Sequence, residues 1–442
     1  MELQKQNLKF ESLRNPLIKN MAVYIISDGI AKAMPFLVFP IVAYYLTSDE
    51  FGLVNNYQVL LGVLSPFIGL STSSYFAVEY YRTGTNNKVL YNNIIYFNLI
   101  LLFLTSVAVI CLTDYISGWT KLTAKWIYMA LLSMVFIFLM DLFLVRLRME
   151  EKARIFGIFN VVKSVISVSL TILFVVVLKM AWEGRIYSLF ITTVLGGCVA
   201  LIFTWKFIGK IHRPVFRQMR SFLIFGLPLL PHHLSIWIRT GFDKIFITSS
   251  IGLSENGVYS FAVTISAIFT MFSGAFFAAF SPYAYKVLAK NELESAEKQE
   301  QIKIGIVKKS YTFLAAYLVV LVIGFFAAAI FINLFFKEKY GESIEFVPYL
   351  LAYNLFNTAY IFVSMMIYYS KSTKYLGLIT ILSSLIQVLL VMFLVRLIGP
   401  KGAAISAMVV SLWTLIVVYA YSNRVFPMPW LSLRNLIKCK SL

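Results

Sequence analysis

Apolar runs of about 20 residues or more recur twelve times along the chain, separated by short polar stretches. A run of that length crosses the roughly 30 Å hydrocarbon core of a bilayer as an α-helix rising 1.5 Å per residue. The runs lie at about 21–46, 57–81, 91–113, 124–145, 155–178, 185–206, 222–250, 257–285, 305–336, 345–370, 374–396 and 401–423. Several exceed a minimal span, which predicts tilt or extension past the bilayer. No connector exceeds about 20 residues, so no loop can fold into a catalytic domain. The first 20 residues are polar and lack the early apolar region and cleavage site of a signal peptide. Residues 289–309, with mixed charges and helix-forming side chains, predict a cytoplasmic helix, either amphipathic at the membrane surface or a solvated linker.

Composition narrows the class further. Of 442 residues 60% are apolar and 13% charged, against about a quarter charged in a soluble domain. A soluble fold cannot hide this much apolar surface. The expected fold is therefore an all-α polytopic membrane protein, and an ordinary soluble enzyme, a disordered chain and a disulfide scaffold are excluded. Cys111, Cys198 and Cys439 are isolated and there are three His, so neither a metal centre nor a cofactor is expected.

The net charge of +19 invites a nucleic-acid reading, and the location of the charges answers it. With the N-terminus in the cytoplasm, 27 of the 39 Lys and Arg fall on cytoplasmic connections and termini, and 8, Arg185 among them, on outer connections. Four lie within apolar runs: Lys32, Lys163, Arg239 and Lys244. The acidic residues divide 9 cytoplasmic, 8 outer and 3 within the membrane, the last being Asp28, Asp141 and Asp243. The excess is thus a positive-inside signal that puts both termini in the cytoplasm. No nucleic-acid partner is implied.

The loop SDEFGL (48–53) after the first run and LSENGVY (253–259) after the seventh align Glu50 with Glu255 and Gly52 with Gly257 at one offset, 205 residues. Together with the matching order of spans this predicts two six-helix halves, 1–210 and 211–442, around a central cavity opened alternately to each side. Pro35, Pro40, Pro228, Pro231 and Pro282 interrupt long spans and favour bending.

Ionisable groups at membrane depth are costly and commonly face a cavity or a partner. Asp28 and Lys32 are four apart on one helical face, as are Arg239 and Asp243, with His232 seven residues earlier on the same face. The two pairs can be salt bridges, or Lys32 and Arg239 can meet in the central cavity. Lys163 lies about 13 Å along its span at 1.5 Å per residue. Lys244 lies nearer the outer end and can snorkel. Asp141 stands near Arg146, its ordinary ion-pair partner in this reading. A cavity with excess positive charge suits an anion such as phosphate, held bidentately by Arg and as a point charge by Lys.

Four stretches carry a family resemblance. YIISDGIAKAMPFLVFPIVAYYLTSDEFGLVNNYQ resembles the first span and loop of the polysaccharide biosynthesis proteins, the Wzx-type O-antigen flippases of the multidrug/oligosaccharidyl-lipid/polysaccharide exporter superfamily. VRLRMEEKARIFGIFNVVKSV (145–165) resembles that family's stretch between spans 4 and 5, with Arg146 at a family Arg position. FGLPLLPHHLSIWIRTGFDKIFITSSIGLSENGVYSFA (225–262) is similar to its span 7, with Asp243–Lys244 in place of an Asp-Arg-type pair. SPYAY (281–285) closes span 8 in the same style. Where many relatives carry an Arg late in span 2, this chain has Arg82 near the membrane edge. The resemblance implies an exporter fold of twelve or fourteen spans in the bacterial cytoplasmic (inner) membrane. It also implies movement of an undecaprenyl-pyrophosphate-linked oligosaccharide, an O-antigen or capsule repeat unit, from the inner to the outer leaflet. Polysaccharide polymerase and chain-length proteins are the partners it implies.

The combined expectation is a flippase, not an enzyme. Lys32, Arg239, Lys163 and Arg146 are expected to line the pyrophosphate and sugar cavity. Asp28, Asp243, Lys244 and His232 are expected to tune those charges or carry a coupling H+ or Na+. One rival is an ion-coupled multidrug antiporter of the same fold, which would want uncompensated carboxylates. Another is a membrane glycan polymerase, which would want a long outer loop with catalytic Arg or His.

Overall fold

The structure, a computed structural model, describes residues 16–80, 86–210, 212–290, 294–370, 372 and 374–430. Secondary structure among them is helical throughout. The helices are α1 (Pro16–Tyr45), α2 (Ser48–Gly69), α3 (Thr72–Glu79), α4 (Asn87–Cys111), α5 (Thr113–Thr120), α6 (Ala124–Met149), α7 (Ala153–Thr171), α8 (Ala181–Ile208), α9 (Phe216–Gly226), α10 (Leu230–Trp237), α11 (Asp243–Ser250), α12 (Leu253–Lys290), α13 (Ala296–Phe335), α14 (Lys337–Tyr340), α15 (Val347–Tyr369), α16 (Lys374–Ile398) and α17 (Pro400–Val425). Eleven helical stretches among the described residues are long and apolar enough to cross a membrane, and the described apolar part of α1, Gly29–Tyr45, occupies the place of the first predicted span. The protein is a multi-pass helical membrane protein.

Two compact units divide the chain, 1–237 and 238–442. In the first, α1 packs on α7, α6 on α8, and α2 on α6. Its polar clasps are typical of helices that associate inside a bilayer. Asn56 Nδ2 donates to the Thr120 carbonyl at 2.9 Å, and the Tyr57 and Ser133 hydroxyls lie 3.1 Å apart. In the second unit α17 packs on α15 and α16. There Asn354 ties α12 to α15, accepting from Thr270 Oγ1 and donating to the Ser266 carbonyl, each at 2.8 Å. A cluster of Phe280, Phe362, Met365 and Met366 fills the interior. Gly402 in α17 lies against the Leu394 backbone of α16, an approach that leaves no room for a Cβ.

Local chemistry explains the boundaries. Thr47 caps α2 in a capping box: the Thr47 N–H donates to Glu50 Oε2 at 2.8 Å and the Glu50 N–H to Thr47 Oγ1 at 3.3 Å. Glu255 stands in the first turn of α12, so both copies of the Glu-x-Gly motif lie at a helix start. Span 2 is broken: Leu70 and Ser71 adopt left-handed φ of 38° and 55° between α2 and α3, unfavourable for residues with a Cβ. Neighbours hold the break in place. Asn98 Nδ2 donates to Thr72 Oγ1 at 2.9 Å, and Ser71 Oγ is 2.9 Å from His233 Nε2. Gly226 lets α9 approach the Leu70 carbonyl where a Cβ would collide.

Span 7 is segmented. A 3-10 turn at Leu227–Leu229 contains Pro228, and a π-helical turn, Ile238–Phe242, precedes α11. A second π-helical stretch, Ile172–Val177, extends α7. The helix expected within 289–309 is continuous with the following span. From Ala296 onward that segment is the start of the 40-residue α13, because nothing stronger than Gly305 interrupts it, and it buries Ile304, Ile306 and Val307.

A candidate substrate cavity within the first unit

Among the described residues three ionisable side chains from three helices line one cavity of about 330 Å³: Asp141 of α6, Lys163 of α7 and Arg185 of α8. Pro35 and Val38 of α1 close another wall. Asp141 and Lys163 feel one another's charge. Asp141, with Ile137, also borders a neighbouring cavity of about 150 Å³ whose lining includes Ser71, Ser73, Ser74 and His233 at the broken span 2. The carboxylate therefore stands between two polar spaces.

Arg185 is the residue that the sequence reading placed elsewhere. The apolar run reads as starting at Arg185, which assigns its charge to an outer connection. α8 begins at Ala181, so Arg185 sits a full turn inside the helix and reaches the cavity. Its Nη1 donates to Thr171 Oγ1 at 2.7 Å and to Ser188 Oγ at 3.4 Å, and those two hydroxyls are 2.7 Å apart. No carboxylate among the described residues lies within ion-pair distance of it. A signal was present in the sequence: Thr171 and Ser188 are hydroxyls inside otherwise apolar runs, close to the turn that Arg185 follows.

Arg146 is built differently. It is 4% exposed and its guanidinium sits 4.5 Å from the Phe207 ring, 5.4 Å from Phe143 and 5.7 Å from Tyr91. Nη1 donates to the Phe203 carbonyl at 3.1 Å, and Nε lies 3.5 Å from Glu150 Oε1. Its acidic partner is thus Glu150 rather than Asp141, and it is not among the residues lining the Lys163 cavity.

The remaining candidates fall as follows. Lys32 and Asp28 lie on α1, and their side chains are outside the described residues. His232 is exposed in the first unit, its ring 5.9 Å from that of His233. In the second unit Asp243 is 6% exposed. It accepts from the Tyr259 hydroxyl, and its Oδ1 accepts the Lys244 N–H at 2.9 Å. The Lys244 side chain lies within Asp243's electrostatic reach. Arg239 stands on the π-helical turn, its carbonyl accepting from Gln387 Nε2 at 3.5 Å and its charge within reach of Tyr360. No Arg239–Asp243 ion pair occurs among the described residues. A π-turn widens the helix beyond 3.6 residues per turn, so positions four apart across it no longer stack.

The profile of the polysaccharide biosynthesis protein family matches residues 17–288, and the chain belongs to that family. It is 21% identical over 84% of its length to Lsg locus putative protein 1 of Haemophilus influenzae, covering 90% of that protein. It is 24% identical over 84% of its length to a second membrane protein of the same organism, covering 88% of it. Among solved structures it is similar to a multidrug resistance MATE family transporter of the MOP superfamily in an inward-facing conformation. That likeness has a TM-score of 0.69 at 17% identity, over 92% of this chain and 96% of that one. The fold is the one seen in that transporter.

Proposed function

We propose, from membership of that family, that the protein is a flippase moving a polyprenyl-pyrophosphate-linked oligosaccharide across the bacterial cytoplasmic membrane by alternating access. One observation carries the reading to an anionic substrate: among the described residues the ionisable lining of the Asp141–Lys163–Arg185 cavity is two cations against one carboxylate. Such a lining disfavours a cationic drug and suits a negatively charged ligand. Ser164, Ser167, Thr192 and Thr193 line the same space, a hydroxyl-rich surface suited to sugar. In this reading Lys32 and Arg239 contact the pyrophosphate, and Asp28, Asp243, Lys244 and His232 set the charge balance or carry a coupling ion.

The test is reconstitution of the full chain in vesicles holding a fluorescent undecaprenyl-pyrophosphate-linked trisaccharide. A membrane-impermeant quencher removes the outer-leaflet signal at once. We expect continued quenching of the inner-leaflet pool with the protein and none without it, and loss of that phase in Lys32→Gln and Arg239→Gln. A protein that leaves the inner pool untouched but takes up ethidium against a proton gradient would be a drug antiporter, and the reading would fall.

A further inference from the structure

Arg185 is a membrane-embedded cation with open donors. Its Nη1 is committed to the Thr171 and Ser188 hydroxyls, which fix the guanidinium plane, while Nη2 and Nε have no partner among the described residues. Hydroxyls inside helices ordinarily bond the carbonyl four residues back, as Ser164 and Thr171 do here at 2.9 and 2.6 Å. Thr192 does not: it is 6% exposed, it lines the cavity, and its hydroxyl has no hydrogen-bond partner. The Ser167 and Thr193 hydroxyls likewise have none among the described residues. A buried polar atom left unmatched costs about 1–3 kcal/mol, so unmatched donors around a polar cavity imply something that fills it.

The charge arrangement selects the ligand. Asp141 and Lys163 line the same cavity within electrostatic reach of one another. Thr171, which holds Arg185, lies eight residues from Lys163 on α7, about 12 Å of helix rise. Arg185 therefore brings to the far end a positive charge with no carboxylate in ion-pair distance among the described residues, which matches a single negative charge. A carboxylate fits the guanidinium fork bidentately, whereas a pyrophosphate would bury surplus negative charge beside Asp141. The free hydroxyls between the ends can pair with sugar hydroxyls, and Asp141 can only accept from them.

We propose that this cavity is a subsite for an acidic sugar, with Arg185 holding the sugar carboxylate and Ser167, Thr192 and Thr193 its hydroxyls. The assignment rests on the flippase reading and adds to it that the carried oligosaccharide contains a monoanionic sugar. Arg185 is then the specificity-determining residue, separate from whatever holds the pyrophosphate.

Two measurements on the full chain test this. In thermal unfolding of the purified protein, glucuronate, glucose and inorganic phosphate are titrated in parallel. Glucuronate alone should raise the melting temperature saturably, Arg185→Gln should abolish the rise, and Arg185→Lys should weaken it about tenfold, the loss expected when a bidentate contact becomes a point charge. Thr192→Val keeps the shape of a side chain that bonds nothing, so it should fold normally and still weaken the rise; it decides the matter if Arg185→Gln does not fold. A rise with phosphate equal to that with glucuronate, or one unchanged in Arg185→Gln or Thr192→Val, overturns the subsite. In vesicles, two polyprenyl-pyrophosphate disaccharides differing only in glucuronate against glucose should flip at rates about tenfold apart, and Arg185→Gln should erase the difference. Equal rates in the unaltered protein overturn the subsite and leave the flippase reading standing. A saturable glucuronate rise with neither lipid flipped upholds the subsite and overturns the flippase reading.

Discussion

Arg146 and Arg185 are two cations of the same unit, on neighbouring helices, with opposite surroundings. Arg146 is enclosed: three aromatic rings face its guanidinium, a carbonyl accepts from it and Glu150 balances its charge. Arg185 is presented: two hydroxyls grip one nitrogen and the rest of the fork is left open on a cavity. Arg146 Nε itself makes no hydrogen bond, so the difference lies in charge: a buried cation balanced by a carboxylate holds helices together, while one with no carboxylate in reach is kept for a ligand. The contrast teaches that depth in the membrane does not by itself separate structural from functional charge; the inventory of partners does.

The largest expected effect breaks this comparison on the Arg146 side. Arg146→Leu leaves Glu150 beside Lys152 alone, at 2.7 Å, and strips the aromatic ring set of its cation. Removing one partner of a buried pair costs about 3–5 kcal/mol, enough to lose most folded protein. Size-exclusion profiles in detergent should show aggregation for Arg146→Leu and a monodisperse peak for Arg185→Gln. The reverse pattern would exchange the two roles.

The second unit offers a smaller test of the same rule. Asp243 is enclosed like Arg146, with Tyr259 donating to it and the Lys244 N–H completing the set. Tyr259→Phe removes one donor from a buried carboxylate, and a destabilisation of about 1–3 kcal/mol is expected. Adding Asp243→Asn to that variant should recover part of it, because the amide needs less compensation than the charge. Thermal unfolding of the single and double variants measures the coupling. Additive losses would mean that Tyr259 acts through packing alone.

The same residues show what could be read from the chain. Eleven of the twelve apolar runs became helices long and apolar enough to cross a membrane, and the first is matched among the described residues by the shorter stretch Gly29–Tyr45, because a length of about 20 apolar residues is a local property. Lys163 and Asp141 were legible as interior charges for the same reason. Arg185 was not: WEGRIYS looks like a polar connection until the start of α8 is known, and a shift of four residues moves its charge from loop to cavity. Arg146's rings come from α4 and α8 as well as its own helix, and pairings so distant in sequence leave no periodic trace. The π-turn that separates Arg239 from Asp243 has no residue signature either. An i, i+4 rule applied across it allows an Arg239–Asp243 ion pair, one of the two alternatives for those charges, and that pair does not form among the described residues.

Packing gives a test with no charge in it. The Gly402 Cα meets the Leu394 backbone of α16, so Gly402→Ala must push α17 and α16 apart, and neither backbone can rotate away as a side chain could. Overpacking costs about 1–3 kcal/mol, and a lowered melting temperature with unchanged glucuronate response would separate scaffold from site.

The smallest effect sets the floor for all of these. Lys401 Nζ lies 3.3 Å from Glu345 Oε2, with the two side chains 38% and 59% exposed. Both ions keep most of their hydration, so attraction between them is screened and the ordering of two long side chains offsets much of what remains. Lys401→Gln should shift stability by less than about 0.5 kcal/mol and leave lipid flipping at the unaltered rate. A loss as large as that of Tyr259→Phe would mean that exposed pairs matter here as much as buried ones, and the partner inventory would then cease to distinguish Arg146 from Arg185.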